Sequence, residues 1–383
     1  MKTRRQRKVK KGKSRRFKGG RYIFHGTYGC TYRPSIKCKE DKERIPDTVS
    51  KLMKEEYATI EYKFKAKLEK IDPTQKYLLY PSKMCEPDIT VNPENEYDKC
   101  PRVNIKDGRS KLIIYKDGGN DLQHIIVQKE DYVEFFKGLL NLFEGLETMH
   151  ANNFVHMDIK PPNLVAIKKD DGTFHIRFID FSLSDSVYKA SLSDYSANYP
   201  YWPYDLRLLN PDYIYKSNRL LQSELDEFYT HFPHGSFPMW TWYDDNYKQR
   251  ITPDYTRITA RDIKDTPKSG EDIVKSGDVF ALGRSLIEIY SQLTGHTLLR
   301  GNKIRVQTAE SYETELADKI SKPLYALLVK MTSPYYNKRP TAKEAKEEYS
   351  TIIPAMEEAF GQWKLIENVI SPLTDLTDLS PDK

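Results

Sequence analysis

No stretch of this sequence approaches 18 uninterrupted apolar residues, and its first residues lack the apolar core of a secretory signal. Spanning a membrane and secretion are therefore not expected, and the chain reads as a soluble globular protein that works inside a cell. Cysteine is scarce, with Cys30, Cys38, Cys85 and Cys100 spaced eight, 47 and 15 residues apart. No C-x-x-C pair points to zinc, so four reduced thiols are expected. Acids are missing from residues 1–18, which hold eleven Lys and Arg. The net charge of +6 is thus a property of that segment: the rest of the chain has 50 basic residues against 55 acids, a net −5. Such a run repels itself and buries nothing apolar, so residues 1–19 are expected to form a disordered tail. Its cations suit nucleic acid, another anionic surface or an import receptor, and a merely solvated extension fits as well.

What is present is a long and aromatic chain of 383 residues, 12% of them Phe, Trp or Tyr. That length allows two domains or one large two-lobed unit, and burial alone stabilises it without disulfide or metal. Strand signals come first. Arg21 to Tyr32 alternates around Gly26 and Gly29 as two strands joined by a turn, residues 48–53 read as a third strand, and a helix is expected from Lys54 to about Ile71. Lys111 to Tyr115 is a short buried strand, and Asp117-Gly118-Gly119-Asn120 forms a turn cluster suited to a lobe boundary. Helical periodicity then takes over, with Val133, Phe136, Leu139, Leu140, Phe143, Leu146 and Met149 on one face, and a second helix from about Gly277 to Leu293.

The segment richest in chemistry is His156-Met157-Asp158-Ile159-Lys160-Pro161-Pro162-Asn163, followed by Ile179-Asp180-Phe181-Ser182. A carboxylate, a lysine, an amide and a second carboxylate supply a proton acceptor, a phosphate contact and two oxygen ligands for magnesium. Here the chain resembles the protein kinases, whose catalytic loop reads H-R-D-x-K-x-x-N and whose metal motif reads D-F-G. Phe24-His25-Gly26-Thr27-Tyr28-Gly29-Cys30 is similar to the glycine-rich loop, with Phe24 in place of the first glycine. Val49-Ser50-Lys51 is similar to the V-A-I-K strand. Asp278-Val279-Phe280-Ala281-Leu282-Gly283 resembles the D-V-W-S-L-G helix start, whose Asp holds the catalytic-loop backbone. Asn337-Lys338-Arg339-Pro340-Thr341 resembles N-x-R-P-T, with Asp205 offered as the acid for Arg339. The opening glycines and loop are further similar to kinases of large double-stranded DNA viruses.

The resemblance implies an α+β, two-lobed protein-kinase-like fold: a small β-rich N-lobe over 20–116, a larger α-rich C-lobe over 117–365 with an insert near 210–268, and a polar tail over 366–383. A second unmatched stretch lies near 82–110. It further implies an ATP-dependent serine/threonine protein kinase of the host cytoplasm or nucleus, or carried in a virion, acting on protein substrates with Mg2+ or, alternatively, Mn2+. In that scheme Asp158 is the catalytic base, Lys160 steadies the phosphate, and Lys51, paired with Glu61, contacts the α and β phosphates. Gly26, Thr27, Tyr28, Gly29 and Cys30 fold over the nucleotide, with Cys30 partly exposed. Ile114, Tyr115 and Lys116 present backbone groups to the adenine, and Asn163 and Asp180 hold the metal. Met157 departs from the family arginine that grips an activation-loop phosphate, and Ser182 from the glycine of D-F-G. Two alternatives stand beside this reading: a kinase-like pseudoenzyme scaffold, and a small-molecule kinase of the same fold, which Lys160 disfavours.

Overall fold

The computed structural model describes residues 20–88, 100–103, 108–190, 201–203, 206, 270–299, 322–333 and 336–374. They divide into two compact units, one drawn from Met1–Lys63 and Pro81–Asp117, the other from Phe64–Tyr80 and Gly118–Lys383. The tail of residues 1–18, Asp205 and the 210–268 insert lie outside the described residues.

The first unit is built on one antiparallel sheet. Its strands are β1 (Arg21–His25), β2 (Gly29–Arg33), β3 (Thr48–Lys54), β4 (Lys83–Cys85) and β5 (Ser110–Lys116), in the order β1-β2-β3-β5-β4. Successive side chains of a strand alternate between faces, so one sequence serves two cores. Cys30, Tyr32, Leu52, Leu112 and Ile114 bury on one face with Ile36 and Val103. Met53, Ile113 and Tyr115 bury on the other, with Ala58 of helix α1 (Glu55–Tyr62). This two-sided burial explains why β5 carries the unbroken apolar run Leu112–Tyr115.

The second unit is mainly helical. It contains α2 (Lys65–Ile71), α3 (Tyr132–Ala151), α4 (Gly270–Leu299), α5 (Lys322–Met331) and α6 (Ala342–Thr374). Between them lie a sheet of β6 (Asn120–Asp121), β8 (Leu164–Lys168) and β9 (Phe174–Phe178), and a pair made by β7 (Phe154–Val155) and β10 (Asp185–Ser186). Phe136, Leu139, Phe143 and Leu146 of α3 enter one core with Leu282 and Leu286 of α4 and Leu327 of α5. Tyr349 of α6 stacks on Phe143 with ring centroids 4.4 Å apart, and its hydroxyl donates to the Phe136 carbonyl at 2.8 Å.

Several expectations need correction. The four cysteines are not reduced thiols: Cys30 is bonded to Cys100 and Cys38 to Cys85, each pair with Cα atoms 5.8 Å apart. All four sulfurs belong to the same buried sheet face, where partners 70 and 47 residues apart in sequence become neighbours. The helix expected from Lys54 to Ile71 is two helices, because Lys63 closes α1 with an N–H bond to the Thr59 carbonyl while Phe64 turns to pack on Phe154 at 5.7 Å. Phe64–Tyr80 therefore groups with the second unit, inside the range expected for the N-lobe. The polar tail expected from 366 begins within α6, which continues to Thr374.

Candidate functional site

In the first unit the chain from Gly26 to Gly29 makes a tight turn closed by the Gly26 N–H on the Gly29 carbonyl at 2.9 Å. Thr27 and Tyr28 form its tip, Tyr28 packing on Tyr57 with ring centroids 4.5 Å apart, and Phe24 before the turn is 54% exposed. Gly29 answers a packing demand, since a Cβ there would lie 2.4 Å from the Leu52 carbonyl oxygen on β3. Cys30 is wholly buried and disulfide-bonded, which overturns the expectation of an exposed thiol beside a bound nucleotide.

Register places Lys51 of β3 opposite Ile113 of β5, on the face that α1 covers. Its ammonium lies 2.7 Å from Glu61 Oε2, and Glu61 is buried. Two other glutamates of this stretch face other lysines: Glu55 faces Lys111 and Glu69 pairs with Lys65. Tyr115, expected to offer only its main chain, also donates its hydroxyl to the other oxygen of Glu61. The Ile114 carbonyl accepts from the N–H and Oγ of Ser82, at 2.8 and 2.9 Å. The Asp117 N–H bonds the Asp47 carbonyl at 2.9 Å, so the alternating antiparallel ladder also spends the main chain of Tyr115 on Val49. Ile114 and Lys116, on either side of Tyr115, turn their main chains away from β3, that of Ile114 toward Ser82.

In the second unit the loop between β7 and β8 gathers the polar groups. Asp158 is 6% exposed; its carboxylate accepts from Lys160 Nζ at 3.0 and 2.9 Å and from Asn163 Nδ2 at 2.7 Å. The Asn163 amide also donates to the Asp158 carbonyl at 2.9 Å, so one side chain fixes both the carboxylate and the loop. Residues Pro161–Asn163 form a single 3-10 turn, and β8 then pairs Leu164 with Phe178 of β9. That register, with the Ile179 N–H on the Asn163 carbonyl at 3.0 Å, brings Asp180 beside Asn163. Asp180 takes a positive φ of 62°, a costly conformation for a non-glycine residue, while Phe181 is anchored in the core.

The loop is held from beneath by α4. Asp278, itself buried, accepts from the N–H groups of His156 and Met157 at 2.7 and 2.9 Å. His156 is wholly buried; loss of water pushes its imidazole below the usual histidine range, against the pull of Asp278, so it stays neutral. Its Nε2 lies 3.1 Å from the Ile179 carbonyl, linking the two motifs. Asp278→Ala would strand two buried N–H donors, and a loss of roughly 2 to 6 kcal/mol is expected, at about 1–3 kcal/mol for each. Denaturant unfolding of the variant measures it.

Arg339 bonds the Ser333 carbonyl at 2.8 Å and Ser276 Oγ at 3.1 Å, above the ring of Phe280. Its proposed partner Asp205 lies outside the described residues.

Comparison with known proteins agrees with this geometry. The protein kinase domain family model matches residues 112–208. The chain is 32% identical over 93 residues to a protein described as a serine/threonine-protein kinase from Acanthamoeba polyphaga mimivirus, covering 22% of this chain and 32% of the relative. It is 37% identical over 68 residues to calcium-dependent protein kinase 4 of Plasmodium berghei, covering 18% and 13%. It is 31% identical over 81 residues to death-associated protein kinase 2 of Mus musculus, covering 20% and 21%. The chain thus spans a third or less of the length of these relatives. With its β-sheet unit and helical unit, it has the α+β fold of a protein kinase.

Proposed function

We propose that the chain is an ATP-dependent serine/threonine protein kinase. The observation that carries this reading is the arrangement around Asp158, a buried carboxylate aimed by Asn163 and Lys160 and followed through Ile179 by Asp180. A scaffold that only bound nucleotide would have no need to orient a proton acceptor. A substrate hydroxyl gives its proton to Asp158 as its oxygen bonds the γ-phosphorus, the bond to the β-phosphate oxygen breaks, and ADP leaves. Lys160 balances charge on the phosphoryl group in transit. Lys51, held by Glu61, is assigned to the α and β phosphates, and the Gly26–Gly29 turn to their cover.

A divalent cation fits the donor set. Asn163 spends its Nδ2 on Asp158, which leaves Oδ1 as the amide's acceptor, and Asp180 adds a carboxylate. Hard oxygen donors of this kind, few in number, suit Mg2+, which keeps waters and shares its remaining positions with phosphates; Mn2+ is the alternative. Bound there, the cation would neutralise charge on the phosphates.

Phosphoamino-acid analysis of a protein substrate labelled from γ-labelled ATP tests the reaction class. Label on serine and threonine is expected. Label on tyrosine alone, or on a small hydroxyl compound with protein untouched, would replace the reading with one of its neighbours.

Protein substrates are the expected partners, and among the described residues no helix is long and apolar enough to cross a membrane. Residues 1–18 are proposed to meet an anionic partner, nucleic acid first. Deleting them is expected to abolish DNA and RNA retention that weakens steeply with salt, and to leave phosphate transfer intact. Filter binding across a salt series decides, and equal retention of both forms would discard the proposal.

A further inference from the structure

We infer that Arg284 is a positioning residue for the proposed reaction: through Glu288 it holds Tyr201, and so keeps the Tyr201–Trp202 strap on the main chain that carries Asp158. The inference rests on the kinase reading for its reaction, and on contacts within the second unit for its geometry.

Helix α4 touches the catalytic loop twice by different means. The first is direct, through Asp278. The second begins at Arg284, whose side chain is 0% exposed, a rare state for an arginine unless it is paired. One turn further, Glu288 Oε1 lies 3.0 Å from the Arg284 Nη2. The other carboxylate oxygen, Oε2, accepts from the Tyr201 hydroxyl at 2.7 Å. Tyr201 is followed by Trp202, whose Nε1 donates to the Met157 carbonyl at 2.8 Å, immediately before Asp158. A continuous line of contacts therefore runs from a buried cation on α4 to the residue preceding the proposed base.

The charges along this line depend on one another. Burial pushes the Glu288 carboxyl up, and Arg284 is the main influence drawing it back. The Tyr201 hydroxyl is pushed up by burial first and then by the charge on Glu288, while Arg284 pulls it down and the charge of Asp158 is felt as well. A buried ion pair is a poor device for stability, because apolar residues of similar volume fill the same space without desolvating two charges. What apolar residues cannot do is give a tyrosine hydroxyl a fixed acceptor. Without Arg284, a buried Glu288 would take up a proton rather than stay charged, and the Tyr201 bond would lose its ionic strength. The strap would then be free to leave Met157, and the carboxylate of Asp158 would lose its setting.

The experiment uses the full chain, with Arg284→Met, Arg284→Lys, Tyr201→Phe and the doubly neutral Arg284→Met/Glu288→Leu. Transfer to a protein substrate, nucleotide affinity, thermal stability and hydrogen exchange of the 154–164 segment are read for each. Arg284→Met and Tyr201→Phe should lower kcat by between about 10- and 100-fold, the scale of a misplaced catalytic group, with nucleotide affinity unchanged. Exchange in 154–164 should quicken in both, and Arg284→Lys should recover part of each effect. The doubly neutral variant should regain stability without regaining transfer. Recovery of transfer along with stability in that variant, or wild-type kcat and exchange in Tyr201→Phe, would overturn the inference and leave Arg284 as a packing residue. Quickened exchange in a chain whose wild type transfers no phosphate would keep the strap and discard the kinase reading.

Discussion

Replacing Asp158 with alanine is expected to lower phosphate transfer by roughly 10² to 10⁴, the range for a positioned acid or base. Nucleotide binding should persist, because the groups assigned to the phosphates and metal are Lys51, Asn163 and Asp180. The variant also removes the acceptor that Lys160 and Asn163 share, so Asp158→Asn is the needed companion. Asparagine keeps the shape and an oxygen for Lys160 but cannot take a proton. If Asp158 acts as the base, both variants fall together in single-turnover assays. If it serves only to brace the loop, the asparagine variant stays near wild type while alanine falls.

The second large effect concerns the disulfides of the first unit. Cys30 to Cys100 closes 70 residues and Cys38 to Cys85 closes 47. In the chain-entropy account, a crosslink over loops of these lengths stabilises by about 4 kcal/mol. The shorter loop lies inside the longer one, so the second bond adds less than the first. Reduction, or Cys30→Ser with Cys100→Ser, is expected to lower the denaturant midpoint of the sheet unit accordingly, because β2 loses its tie to the chain at Cys100. Alkylation of the denatured chain without reductant, followed by mass measurement, reports the bonds themselves. Four alkylated cysteines and an unfolding curve indifferent to reductant would show that the sheet stands without them.

Much of the second unit's chemistry is legible in the sequence because it is local. Asp158, Lys160 and Asn163 lie within six positions, and one 3-10 turn brings them together. Asp180 follows from the β8–β9 hairpin register, which again depends on neighbours. Glu61 could be chosen for Lys51 because a helix that starts at the end of β3 must complete a turn or more before a side chain can reach back. The features that escaped are those set by distant packing. Nothing in spacings of eight, 47 and 15 says which cysteines meet, since that depends on how β2, β4 and the chain near Cys100 share one sheet face. Tyr115 is expected to act through its main chain, and its hydroxyl gains a role only once the fold sets Glu61 against it. Arg284 looks like a solvated helix residue in sequence, and its burial comes from α4 being covered along this stretch. The break at Phe64 is hidden in the sequence because Lys54 to Ile71 contains no glycine or proline, and Phe64 there packs on the distant Phe154.

The central claim is that this chain moves the γ-phosphate of ATP to protein and does not merely bind nucleotide. It is tested most directly by incubating the purified full chain with γ-labelled ATP and a generic protein substrate, with Mg2+ and again with a chelator. Label is predicted to pass to the protein only when the cation is present. Saturable nucleotide binding with no label transferred, to substrate or to the chain itself, would contradict the account and identify a kinase-like scaffold.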